Sequence, residues 1–409
     1  MKYASINPLN NQLISEFPFS SFPDLEKSQA AYRQWRKLSV HERGNQLKKV
    51  AALLEKNKKE YAQLITLEMG KPLREAEYEI NKTLSTFDYY IEHAPAFLQN
   101  QSVATNASKS YITFEPLGII FSIMPWNFPF WQVFRFAIPT LISGNVTILK
   151  HAPNVPQCAN AIQQLFDDAG VITGIFKNYF LDNQTAEQVI ADPRIAGLTF
   201  TGSDRTGSYL ASLAGKHLKK CVMELGGNDA FIVLDDADLD FTIAGAVKSR
   251  SINSGQSCNA AKRFIVTEKV AAAFTEKLIA AIKQLKVGDP MDEQTQIGPL
   301  ARKDLLQKAQ QQIDVSVAEG AAVHYGQQAA FENGNFISPV VLVNANKNTA
   351  AFNEEIFAAV WSVITVKNLE EAIAIANQSV YGLGASVWTN NKVTAEKIVS
   401  ELEAGNVYI

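Results

Sequence analysis

Apolar positions recur at helical spacing in three early runs, residues 28–36, 40–67 and 74–97. The polar stretch 100–110 predicts a turn or linker. The run 111–124 reads as strand, interrupted by Pro116 and Gly118. From Asn145 the pattern alternates. Short apolar runs at 146–149, 175–181, 197–200 and 221–225 are separated by helical stretches at 156–169, 185–191 and 205–217. A second series follows, with strands at 230–234, 263–266, 338–343 and 361–366 and helices at 239–253 and 270–285. Short apolar runs separated by helices predict an α/β class built on parallel, doubly wound sheets.

The chain has 409 residues, enough for about two to three domains by the usual size relation. At 47% hydrophobic and 19% charged it has the composition of an ordinary globular protein. A formal charge of −3 leaves no basic footprint for nucleic acid or an acidic membrane. The densest basic group, Lys56, Lys58 and Lys59, is bracketed by Glu55 and Glu60 and reads as a solvated helix face. No apolar stretch approaches the roughly 18–20 residues that span a bilayer, and the start carries no signal-like run. Cys158, Cys221 and Cys258 are widely spaced and odd in number, which gives neither a disulfide framework nor a metal pattern. A reducing, cytoplasmic setting is the expectation, with no metal.

Four segments could carry chemistry, each with a plain structural alternative. Gly202-Ser203 lies where a strand runs into a helix, a place whose amides and dipole suit an anion. On the motif alone, a serine N-cap in a simple turn is the favoured reading. The spacing from Gly202 to Gly207 is that of a phosphate loop, but Ser208 stands where that motif needs lysine. Cys258 follows a small-residue turn ahead of a strand and can be exposed and activated there. A buried small hydrophobe is the alternative, and Cys158 and Cys221 fit that description better. Glu224 ends an otherwise apolar strand, where a carboxylate is paired or functional. Asn127 sits in the loop Pro125-Trp126-Asn127-Phe128-Pro129, which could hold its amide as an oxyanion donor or simply form a rigid corner.

Taken in order, these segments resemble the aldehyde dehydrogenase superfamily over essentially the whole chain. Further shared elements are Glu68-Met69-Gly70-Lys71-Pro72, Glu224-Leu225-Gly226-Gly227, Gly255-Gln256-Ser257-Cys258, Ile297-Gly298-Pro299-Leu300, Glu354-Glu355-Ile356-Phe357 and Tyr381-Gly382-Leu383. Leu149-Lys150-His151-Ala152-Pro153 looks like the succinate-semialdehyde dehydrogenase branch. The resemblance implies a Rossmann-type dinucleotide-binding domain (1–97 and 117–226), a small β oligomerisation hairpin (98–116) and an α/β catalytic domain (227–409). It implies Cys258 as nucleophile, Glu224 as general base and Asn127 as oxyanion donor. Trp126, Lys150, Gly202, Ser203, Gly226, Glu355 and Phe357 would bind NADP or NAD. Arg135, eight residues after Asn127, would clamp the distal carboxylate of a small aldehyde, or else pair with a surface carboxylate.

The chain also departs from the family pattern. Where some of these enzymes carry a second arginine, six residues before the cysteine, Ile252 stands, with Arg250 nearby. Pro153 replaces a glutamate that many NAD-preferring members use for the ribose hydroxyls, so a 2′-phosphate is not repelled. Ala358-Ala359 replace the usual Gly-Pro after Phe357, which predicts a looser Glu355 loop. Tyr408-Ile409 end the chain inside what the resemblance makes a strand, so it implies a C-terminal truncation. The full-length form would be a homo-oligomer. Two other readings stand beside the leading one: a broad-specificity aldehyde dehydrogenase with Arg135 structural, and an inactive dinucleotide-binding remnant.

Overall fold

The computed structural model describes residues 2–326 and 333–409. The chain divides into two compact units. The first comprises Met1–Ile6, Leu13–Glu68 and Ala76–Glu224, and the second Asn7–Gln12, Met69–Glu75 and Leu225–Ile409. The division thus falls two residues before the expected 226/227 boundary, and the segment 98–116 clusters with the first unit.

In chain order come β1 (Tyr3–Asn7), β2 (Gln12–Phe17), α1 (Leu25–Trp35), α2 (Val40–Lys56), α3 (Lys58–Met69) and α4 (Leu73–Phe97). The expected single run 40–67 is two helices, because α2 ends at the Asn57 cap. At the other end of α2, Ser39 and Glu42 form a reciprocal capping box. The strands β3 (Gln101–Ser102) and β4 (Tyr111–Ile112) pair antiparallel as a short ribbon. The sheet of the first unit then follows: β5 (Ile119–Met124), α5 (Trp131–Ile142), β6 (Val146–His151), α6 (Pro156–Asp168), β7 (Phe176–Asn178), α7 (Asn183–Ala191), β8 (Ile195–Thr201), α8 (Asp204–Lys216) and β9 (Lys220–Glu224).

Its order is β7-β6-β5-β8-β9, parallel throughout. The chain winds outward from β5 in one direction and then returns to its other side at β8. Such a switch point is where open α/β sheets bind ligands, outside the carboxyl ends of the strands. β5 is buried along nearly its whole length, as a central parallel strand covered by helices must be.

The second unit contains β10 (Asp229–Val233), α9 (Leu239–Ser251), a 3₁₀ turn at Ile252–Gly255, β11 (Ala261–Thr267), α10 (Glu268–Ile282), α11 (Lys303–Ala318), β12 (Ala322–Tyr325), β13 (Val340–Val343), α12 (Ala350–Asn353), β14 (Val360–Val366), α13 (Leu369–Asn377), β15 (Gly384–Trp388), α14 (Lys392–Glu401) and β16 (Asn406–Tyr408). The sheet order is β12-β13-β14-β11-β10-β15-β16, and β12 alone runs antiparallel to its neighbour. Alternate residues of β10 feed two cores: Ile232 packs with Ile313 and Ile398, whereas Phe231 and Val233 pack with Phe274, Leu278 and Trp361. No helix among the described residues is long and apolar enough to cross a membrane.

Candidate active site

In the first unit the expected site residues gather at the carboxyl edge of the sheet. β5 ends at Met124, and the loop 125–130 carries Asn127, which is 5% exposed, into α5. Two buried groups hold this loop. The Glu79 carboxylate of α4 accepts the Phe130 and Trp131 N–H groups at 2.8 and 2.9 Å, satisfying amides at the start of α5. On β6, His151 Nδ1 accepts the Ala152 N–H at 2.8 Å, so its Nε2–H donates to the Pro129 carbonyl at 2.9 Å. Burial pushes the His151 pKa down to about 4, which keeps the ring neutral and in that tautomer. The two prolines are therefore only part of what fixes the corner.

Lys150 precedes His151 on β6. Burial pushes its pKa down to about 8, against the pull of the Asp182 carboxylate, and its ammonium stands 5.7 Å over the Tyr3 ring. At the end of β8 the Gly202 N–H donates to the Glu224 carbonyl at 3.0 Å. Ser203 is the N-cap of α8, its hydroxyl accepting the Thr206 N–H at 3.4 Å. The plain cap is therefore present at the place expected for an anion. Arg135, on α5, lies 3.2 Å from Glu224 Oε1. The expectation that Arg135 could pair with a carboxylate is met by the very residue read as general base.

In the second unit the corresponding residues lie at the amino edge of the sheet. Gly226 precedes β10, Cys258 precedes β11, and Glu355 and Phe357 precede β14. The turn before Cys258 puts three successive residues in the left-handed region: Asn253 (φ 52°), Ser254 (φ 56°) and Gly255 (φ 82°). Such backbone persists where the surroundings over-determine it. Here the Asn253 N–H donates to the Glu75 carboxylate, Asn253 Nδ2 donates to the Gln256 carbonyl at 3.1 Å, and the Ser254 hydroxyl bonds both main-chain groups of Gly298. The Gln256 side chain accepts the Ala301 N–H at 2.9 Å. A Cβ at Gly255 would overlap the Ala358 backbone, so glycine is required.

Cys258 is half-buried. Below it, the buried Lys262 ammonium donates to the carbonyls of Ser257, Cys258 and Ala260 at 3.0, 2.7 and 3.0 Å and stands 3.3 Å from Glu355 Oε1. The same Glu355 oxygen accepts the Gly227 N–H at 3.2 Å, and a Cβ on Gly226 would sit 2.6 Å from Glu355 Oε2. Gly226 thus permits a close approach to the carboxylate.

Arg250 is wholly buried and donates to the carbonyls of Ile356, Ala358 and Val360. Burial pushes its pKa down to about 9. It is a brace of the Glu355 loop, not a second substrate arginine. It also corrects the expectation of a loosened loop, because Ala358 and Ala359 are fully buried and the arginine supplies the hold that Gly-Pro would give. Sequence reasoning missed Lys262, Arg250 in this role, Glu75, Glu79 and His151. The signal available was a charged residue beside or within an apolar run, as with Lys262-Arg263 ahead of Phe264–Val266.

The model of the aldehyde dehydrogenase family matches residues 1–409. A probable succinate-semialdehyde dehydrogenase [NADP(+)] of Synechocystis sp. is 45% identical, covering 100% of this chain and 91% of the relative. A succinate semialdehyde dehydrogenase [NAD(P)+] of Escherichia coli is 42% identical over 99% of this chain and 88% of its own. The crystal structure of succinic semialdehyde dehydrogenase from Streptococcus pyogenes in complex with NADP+ superimposes with a TM-score of 0.96 at 36% identity, covering 100% of this chain and 90% of that one. The final strand, expected from the resemblance at Tyr408-Ile409, is formed as β16 and pairs in parallel register with β15. Fold and whole-length similarity agree, and the chain belongs to the aldehyde dehydrogenase family.

Proposed function

We propose that the protein oxidises succinic semialdehyde to succinate with NADP in preference to NAD. The observation that carries the substrate reading is the Arg135 guanidinium, about a third exposed and 3.2 Å from Glu224, where a distal carboxylate could exchange with the side-chain carboxylate. Whole-length similarity to succinate-semialdehyde dehydrogenases supports the same reading.

The residues fit a dinucleotide. Lys150 is a partly desolvated cation at the sheet's carboxyl edge, Ser203 opens α8, and the glycine at 226 makes room for the Glu355 carboxylate, which is assigned to a ribose. Trp126, Gly202 and Phe357 are assigned to the same ligand. Pro153 leaves no carboxylate against a 2′-phosphate, which supports NADP. When bound, the dinucleotide accepts the two electrons and the hydrogen that leave the aldehyde carbon.

The chain's own residues carry the rest. The Cys258 thiolate bonds to the aldehyde carbon, and the carbonyl π electrons move onto oxygen. The Asn127 amide and the Cys258 N–H donate to that oxyanion. After oxidation Cys258 is held as a thioester. Glu224 takes a proton from water, the resulting hydroxide adds to the thioester carbon, and the C–S bond breaks to release acid and thiolate. A thiolate nucleophile suits a reducing, cytoplasmic setting. The β3–β4 ribbon, with Tyr111 and Ile112 exposed, is proposed as an association edge of a homo-oligomer.

The test follows cofactor absorbance with NADP or NAD and with succinic semialdehyde or a neutral aldehyde of similar length. Turnover favouring the acid aldehyde and NADP is expected. Glu224→Gln should release one equivalent of reduced cofactor per site and then stall as thioester. Equal rates on both aldehydes would instead establish the broad-specificity reading, and binding without any turnover the remnant.

A further inference from the structure

We propose that Lys262 is the positioning residue of the nucleophile: it aims the Cys258 amide and ties the cysteine turn to Glu355. The inference rests on the assignment of Cys258 as nucleophile.

The argument begins with peptide geometry. No peptide bond among the described residues is cis. In a trans peptide the C=O of one residue and the N–H of the next point in opposite directions. The Ser257 carbonyl is turned onto the Lys262 ammonium at 3.0 Å, so the Cys258 N–H of the same peptide points away from it. The Cys258 carbonyl at 2.7 Å and the Ala260 carbonyl at 3.0 Å fix the next parts of the turn by the same rule. An oxyanion donor works only when it is aimed before the charge develops. Lys262 meets that need from beneath the turn without touching substrate.

The ammonium is 3% exposed and carries three N–H groups for these carbonyls and Glu355 Oε1, 3.3 Å away. Other charges stand around it: Asp229 at the start of β10, with Arg263 near that carboxylate, and Arg250 of α9. Burial pushes the Lys262 pKa down, and Glu355 acts first among the groups that hold it up. A cation that donates to the cysteine's own carbonyl also favours the thiolate over the thiol. Glu355 shares that cation, so the carboxylate assigned to a cofactor ribose and the nucleophile turn rest on one charge.

Two variants make opposite predictions. Lys262→Met removes charge and donors at nearly constant length, and Glu355→Gln leaves the ammonium less neutralised. The readout is the pH dependence of Cys258 alkylation by iodoacetamide, in which the thiolate sulfur bonds to the methylene carbon and iodide leaves. Mass spectrometry of the Cys258 peptide follows it in the full-length protein. Lys262→Met should raise the alkylation midpoint by about one pH unit. It should also lower kcat on the order of 10²-fold with little change in aldehyde KM. Glu355→Gln should lower the midpoint and raise the KM for NADP.

A merely structural lysine would lower the melting temperature and leave the midpoint of the folded protein where it is. Unchanged midpoints in both variants would overturn the proposal. Should Lys262→Met fail to fold, an unmoved or raised midpoint in Glu355→Gln overturns it alone. Alkylation needs no aldehyde, so shifted midpoints in a protein that does not oxidise succinic semialdehyde would sink the substrate reading and leave this one standing.

Discussion

Arg135 and Glu224 pair with side chains 35% and 38% exposed. A pair that open to water is worth roughly 0–1 kcal/mol, so a substrate carboxylate can replace Glu224 at little cost. The exchange would also release the Glu224 carboxylate for its proposed work on water, joining substrate recognition to base activation. Arg135→Met should raise the KM for succinic semialdehyde by about 10- to 100-fold, the loss of one charge-assisted contact of ~1.5–3 kcal/mol. The kcat/KM for a neutral aldehyde should change by no more than a few-fold. Steady-state kinetics on both substrates decide it, and equal losses on the two would make Arg135 structural. Arg250 shows the opposite case. Three carbonyls take its Nε and Nη2 donors in full burial and hold it to the Glu355 loop, so its place near the cysteine in sequence says nothing about substrate.

Among the elements, the loop after β5 depends on α4 as much as on its own prolines. Glu79→Ala leaves the Phe130 and Trp131 amides without their carboxylate. It should destabilise the protein by about 2–3 kcal/mol, read as a lower urea midpoint at constant m-value. It should also lower kcat through the loosened Asn127 corner, with the KM for cofactor unchanged; a fall in stability without loss of kcat would show that Asn127 does not depend on the clamp. That clamp was not legible in the sequence, where Glu79 reads as one more polar position of a long amphipathic helix. The helix itself was legible, since its apolar spacing runs unbroken through Ile80, Thr83 and Phe87. So were the alternating strands and helices of 146–225 and the glycine-flanked turns. β15 and α11 to α14 were missed, because short or half-buried runs lack a clear period without their sheet partners. Which end of each sheet carries the site was equally hidden, because strand order is set by packing between segments distant in sequence. Local motifs supplied residues; only the fold supplied edges.

At the scale of the whole molecule, His151 in the first unit opposes Asp229 and Glu75 in the second in its response to acid, and the buried Glu68 of the first unit, its pKa pushed up by burial as theirs are, partly offsets His151. In the first unit His151 has its pKa pushed down to about 4 from an unfolded value of 6.5. Its contribution is full above pH 6.5 and is lost as pH falls towards 4, because the unfolded chain takes up the proton first. In the second unit burial raises Asp229 and Glu75 to about 7, from 3.8 and 4.5. Their contribution is full below the unfolded values and is lost as pH rises through 7. Going from pH 7 to pH 5, His151 should therefore cost the first unit roughly 2 kcal/mol, and Asp229 and Glu75 together should stabilise the second by about twice that. Hydrogen exchange, corrected for the intrinsic rate at each pH, reads this unit by unit. Protection of β5 and β6 should fall on acidification while that of β10 and β11 rises. His151→Gln should remove the first change, and Asp229→Asn should reduce the second. Strands of both units moving in the same direction would mean that these buried groups do not govern the response. A divergent result would mean that acid loosens the Asn127 corner while tightening the cysteine turn, so that activity lost on mild acidification would begin in the first unit.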